Sequence, residues 1–211
     1  MISRRLFVAI AFVLLPTLAA SQSFEQLLKA TGEGNVRLVA GFLEKGLDPN
    51  TADPLGNTLL MLAARQGHID LVKYLIGSKA SVTRRSPQGD TALLMASLGG
   101  HLEVVKLLVE NGATVNQDGW APLHYAAFEG RTEVAKYLLG KGADKNALAP
   151  NGFSPLMLAA RGNHTEVATL LLKEDVDLYV KGPRGETALA ITRDRENKDL
   201  EALMRRAGAI H

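Results

Sequence analysis

Cysteine is absent from the 211 residues, which excludes a disulfide framework, a thiolate metal site and a thiol nucleophile. Aromatic residues make up only 5%, so any core must be assembled from smaller side chains. No H-E-x-x-H, G-x-S-x-G or G-x-x-x-x-G-K-[ST] run occurs, which removes the usual signatures of zinc hydrolysis, acyl transfer and phosphate cradling. Excess charge is missing as well. The formal net charge is +2, and Arg4 and Arg5 supply both units because residues 1–21 hold no Asp or Glu. The remainder is formally neutral, a poor match to nucleic acid, whose binding rests on neutralising phosphates.

Long apolar runs are scarce, and the exception is informative. Leu6–Leu15 is uninterrupted, follows Arg4 and Arg5, and ends at Pro16. Ala19-Ala20-Ser21 then offers small residues for cleavage before Gln22. This predicts a secretory signal over residues 1–21, leaving a mature chain of residues 22–211 with no membrane insertion. A retained anchor is the alternative, but the run is shorter than the roughly 20 residues that span a bilayer. Ser3-Arg4-Arg5-Leu6-Phe7 also resembles a twin-arginine motif, so the general secretory and twin-arginine routes both stay open. A cysteine-free exported chain fits a Gram-negative periplasm.

What the chain has in quantity is Leu, Ala and 20 glycines, arranged periodically. Thr58-Leu59-Leu60-Met61-Leu62-Ala63-Ala64 aligns with Thr91-Ala92-Leu93-Leu94-Met95-Ala96-Ser97. Further copies are Ala121-Pro122-Leu123-His124-Tyr125-Ala126-Ala127 and Ser154-Pro155-Leu156-Met157-Leu158-Ala159-Ala160. Weaker copies begin at Glu25 and Thr187, and the steps along the chain are 33, 33, 30, 33 and 33 residues. Nine residues after each start stands Gly34, Gly67, Gly100, Gly130 or Asn163, residues that accept the left-handed conformation ending a helix. A second apolar-periodic segment follows, as in Leu71, Val72, Leu75 and Ile76. Gly56, Gly89, Gly119, Gly152 and Gly185 precede the starts by two and mark the tips of turns. The pattern predicts an all-α repeat solenoid of about six helix pairs with β-turn fingers. Ser23 is the expected N-cap of the first helix. The final copy, with Glu196 at the glycine slot and a charged last helix, reads as a cap.

A period of 33 with a T-P-L-H-x-A-A core resembles the ankyrin repeat. The resemblance covers residues 24–209, with repeats near 22–52, 53–85, 86–115, 116–148, 149–181 and 182–211. It also extends to small exported bacterial ankyrin proteins, some associated with oxidative-stress enzymes such as catalase. It implies that His68, His101 and His164 bond across repeats to backbone rather than hold a metal. No cofactor, metal or catalytic residue is expected, and the chain is expected to be a monomer.

The resemblance further implies a concave partner-binding face made of finger tips and the outer ends of first helices. Carried over by position, the finger candidates are Asn57, Asp90, Trp120 and Phe153. The helix candidates are Arg65, Phe128, Glu129 and Arg161. Trp and Arg often carry interface energy, and Trp120, Phe128 and Phe153 fall on neighbouring repeats. The expected function is a non-catalytic protein-binding module of the periplasm with a protein partner. An immunity-type inhibitor of an envelope-targeted toxin or lytic enzyme is the alternative, and an enzyme or metal protein is a distant third.

Overall fold

Six residues at equivalent places in the repeats are leucines, and all six are buried: Leu27, Leu60, Leu93, Leu123, Leu156 and Leu189. From the second repeat on, each is the second residue of its first helix, and each contributes about 2 kcal/mol of hydrophobic stabilisation. Three residues further on, Ala30, Ala63, Ala96, Ala126 and Ala159 are buried too. Their single methyl groups let neighbouring helices approach closely, which is why so few aromatics suffice.

The computed structural model describes residues 21–210; the predicted secretory signal, apart from Ser21, lies outside them. The described residues form twelve helices in six antiparallel pairs. The first pair is α1 (residues 21–32) and α2 (Val36–Glu44). Then come α3 (Leu59–Gln66), α4 (Ile69–Gly77), α5 (Ala92–Gly99) and α6 (Leu102–Glu110). The remainder are α7 (Pro122–Phe128), α8 (Thr132–Gly140), α9 (Pro155–Gly162), α10 (Thr165–Lys173), α11 (Ala188–Asp194) and α12 (Lys198–Arg206). First helices pack on first helices, as α5 does between α3 and α7, while second helices form their own row. Strand structure among the described residues amounts to one isolated antiparallel bridge, Ala52 to Thr58. This is the predicted all-α repeat solenoid. One expectation fails: residues 21–23 are already helical, so Ser23 lies inside α1 and is not its cap.

Side-chain hydroxyls start most first helices. Thr58, Thr91, Ser154 and Thr187 accept from the backbone N–H three residues on, satisfying a donor the helix cannot. Ala121 has no hydroxyl, and there the arrangement reverses. His124 Nδ1 accepts from the Ala121 N–H at 3.0 Å, and its Nε2 donates to the Ala147 carbonyl at 2.9 Å.

The helix-ending slot is left-handed in every copy, including the last. Asn163 has φ 62° and Glu196 φ 57°. Lys79 (φ 67°) and Asp175 (φ 55°) hold the same conformation where second helices end, although glycine occupies that slot in the other copies. Backbone geometry, not residue identity, is what the repeat preserves.

A ladder joins consecutive repeats at the ends of the first helices. His68 Nε2 meets the Gly32 carbonyl at 2.7 Å, His101 the Arg65 carbonyl at 3.0 Å, and His164 the Phe128 carbonyl at 2.9 Å. Arg131 takes the same place with Nε, donating to Leu98 O at 3.1 Å. In the last rung Asn197 donates to Asn163 Oδ1 and Thr165 Oγ1. The cross-repeat role implied for the three histidines is what the geometry shows. Gly67 explains the fit: a methyl there would lie 2.4 Å from His101 Nδ1.

Candidate functional site

One edge of the stack is built from fingers, most of whose hairpins are closed by backbone hydrogen bonds. The N–H of Asp53, Ser86, Ala149 and Gly182 donates to the carbonyl of Asn57, Asp90, Phe153 and Glu186, respectively. Where the next finger carries a proline, it packs on the glycine of the finger before; a methyl on Gly56 would lie 2.3 Å from Pro87 Cδ. The finger of the fourth repeat lacks three residues relative to its neighbours, the 30-residue step in the sequence. Gln117 fills the gap. Its Nε2 donates to Trp120 O at 2.6 Å and Gly89 O at 3.2 Å, and its Oε1 accepts from Thr91 Oγ1 at 3.2 Å. A buried amide therefore closes the short hairpin and ties it to the finger before it.

Closing that hairpin places Trp120 over the start of α7. Its ring lies 5.2 Å from Tyr125, tilted by 51°, and 6.0 Å from His124, edge to face. Phe128, at the end of the same helix, is 42% exposed. Burial and the nearby Asp90 carboxylate raise the Tyr125 phenol above its usual range. His124 is driven the other way: burial disfavours its cationic form, while the Ala147 carbonyl bond and Asp144 oppose that effect. Its neutral ring is committed to the two backbone bonds described above, so it has no nitrogen free for a ligand.

The fifth and sixth repeats shape a groove of about 510 Å³ beside this strip. Phe153 forms its floor and is only 8% exposed, with the Arg161 guanidinium 5.5 Å above its ring. Arg184, Glu186, Ile191, Asp194 and Arg195 complete the lining with Pro183.

The eight predicted residues thus divide. Half-buried Trp120 and exposed Phe128 lie at the two ends of one aromatic strip along α7, and the Arg161 guanidinium stands over the Phe153 ring beside it. Glu129 faces Arg131 at 3.9 Å. Asp90 lends its charge to the Tyr125 neighbourhood. Arg65 is exposed on α3 and Asn57 is occupied by Asp53, its Nδ2 donating at 3.0 Å; both lie in the second repeat, apart from the aromatic strip. Sequence reasoning missed Tyr125, whose signal was a lone tyrosine where other copies carry Leu62, Met95, Leu158 and Ile191. It also missed Arg184 and Arg195. Arg195 caps α11 and lines the groove.

Among the described residues, no group of three or more His, Asp and Glu side chains is placed to hold a metal ion. No helix there is long and apolar enough to cross a membrane.

Comparison with known proteins agrees with this architecture. A family model for ankyrin repeats in three copies matches residues 21–86 and 78–149, and one for ankyrin repeats in many copies matches residues 141–191. No curated protein matches the chain. Among solved structures, the crystal structure of the human ASB11 ankyrin repeat domain superposes with a TM-score of 0.81 at 23% identity. The match covers 87% of this chain and 84% of that one.

Proposed function

Because the chain belongs to the ankyrin-repeat family, whose repeats generally serve as protein-protein interaction modules, we propose that it is a non-catalytic binding module of the bacterial periplasm. It holds a partner protein on its concave face. The observation that carries this reading is the aromatic strip of half-buried Trp120 and Tyr125 with exposed Phe128, fixed in place by Gln117 and His124. Rigid aromatics lose little conformational entropy when a partner covers them, and such residues dominate binding energy. Arg4, Arg5 and the apolar run after them support export. Neutrality of the remaining chain favours a contact driven by shape and burial over long-range steering.

The test is capture from envelope extract with residues 22–211, beside a Trp120→Ala, Phe128→Ala variant that keeps its circular dichroism. A partner identified by mass spectrometry, retained by the first protein and lost by the variant, is the expected result. Equal retention by both would move the interface elsewhere on the molecule. A fusion to a reporter active only outside the cytoplasm tests location, and an inactive fusion would refute export.

A further inference from the structure

We propose that the groove between the fifth and sixth repeats seats an acidic, extended segment of the partner protein; this rests on the concave-face reading and specifies its chemistry. The argument begins with which charges are already used. Glu186 accepts from the Arg184 N–H at 2.8 Å and from its Nε at 3.4 Å, so both charges are engaged within their own finger. Its own backbone N–H, with Arg184, holds its carboxyl below the usual range. Arg161 and Arg195 enter no ion pair among the described residues, and both are exposed. Asp194 is the one unpaired carboxylate in the lining. Two uncommitted guanidiniums therefore face one uncommitted carboxylate, across a floor of Phe153, Pro183 and Ile191.

That combination matches a carboxylate flanked by apolar side chains. Arg161 is prepared for it: its guanidinium stands 5.5 Å over the Phe153 ring and, with no ion pair of its own among the described residues, can make a planar, two-point contact with a carboxylate. The same geometry favours an extended chain over a free acid. Phe128, Arg161 and Asp194 occupy the same place in successive repeats, and successive helices stand about 10 Å apart. An extended segment rising ~3.3 Å per residue passes from one repeat to the next in about three residues. An apolar side chain on Phe128 would then lead a carboxylate on Arg161 by that interval.

The test displays random peptides of roughly twelve residues, long enough at ~3.3 Å per residue to cross three repeats, against the full chain. A parallel selection uses an Arg161→Glu, Arg195→Glu variant. Wild type is expected to enrich Asp and Glu, with an apolar residue about three positions away, and the charge-reversed protein to enrich Lys and Arg. The best acidic peptide, labelled for fluorescence anisotropy, is expected to bind about tenfold more weakly to Arg161→Ala, Arg195→Ala. Its Asn/Gln counterpart is expected to bind wild type with a similar loss. Circular dichroism melts confirm that the variants fold. No acidic enrichment, no retained peptide, or unchanged affinity for the alanine variant would each overturn the proposal. If capture from envelope extract still depends on Trp120 and Phe128 in that event, only the groove assignment falls. If capture fails as well, the binding reading falls with it.

Discussion

The side-chain amide of Gln117 donates to the carbonyl of Trp120 at 2.6 Å, taking the part played in the other fingers by a backbone N–H. A three-residue shortening would otherwise leave that carbonyl without its usual donor. Replacing Gln117 with Ala removes three hydrogen bonds at a buried site and is expected to cost about 2–3 kcal/mol, read from urea unfolding. Trp120 is the only tryptophan, so native fluorescence reports this finger directly, and a red shift is expected. An unchanged midpoint and emission would show that the hairpin closes without Gln117.

Among the described residues four non-glycine residues hold left-handed backbone, and of these Lys79, Asp175 and Glu196 are exposed. Left-handed backbone costs a residue with a Cβ roughly 1–2 kcal/mol, partly offset by the greater unfolded-state freedom of glycine. Each change to Gly is therefore expected to raise stability by about 0.5–1 kcal/mol, and the three to add, since they are far apart. Thermal melts that fall on substitution would contradict this.

Gly46 and Gly67 have similar positive φ, 93° and 77°, yet only Gly67 faces a histidine ring. Ala at 46 is expected to cost about 1–2 kcal/mol through backbone strain alone. Ala at 67 must cost more, because the His101 ring has to leave and release the Arg65 carbonyl. A double-mutant cycle of Gly67→Ala with His101→Ala isolates the wedge: the pair should cost clearly less than the sum. Strict additivity would mean that the ring is not seated as described.

His124 predicts acid sensitivity. Its folded pKa lies below the ordinary value of 6.5, so the folded state resists a proton that the unfolded chain accepts. Stability is unaffected above that value and falls as pH drops below it, by about 1.4 kcal/mol per pH unit for this one group. The fall continues until the depressed folded pKa is reached. Melting temperatures between pH 7.5 and 5.5 should decline, and a His124→Gln variant should show a shallower slope. Equal slopes would shift the acid response to other groups.

Much of this was legible because the repeat states each position several times. Leu at the same place in all six copies announces the core, and a glycine recurring nine residues on announces the helix end. Conformation at Lys79, Asp175 and Glu196 was illegible for the converse reason: nothing in those side chains asks for positive φ, and the neighbouring repeats impose it. Gln117 was hidden likewise. Its role depends on a deletion whose geometric cost appears only when the hairpins are compared. At the candidate site, Phe153 read as a surface aromatic because its slot is variable, whereas packing under Arg161 buries it. Arg195 was not legible as a groove residue because it ends α11, three residues before the charged helix α12 begins.

The ladder from His68 to Asn197 is directional, since every rung is a side chain of the later repeat engaging the earlier one. Along this ladder, a stack cut from its C-terminal end leaves acceptor oxygens and the seats its lost side chains had filled, which water satisfies readily. Cut from the other end, it strands imidazole rings with no seat. Growth in the order of synthesis therefore always adds a plug to a finished socket, and the chain can consolidate repeat by repeat as it emerges.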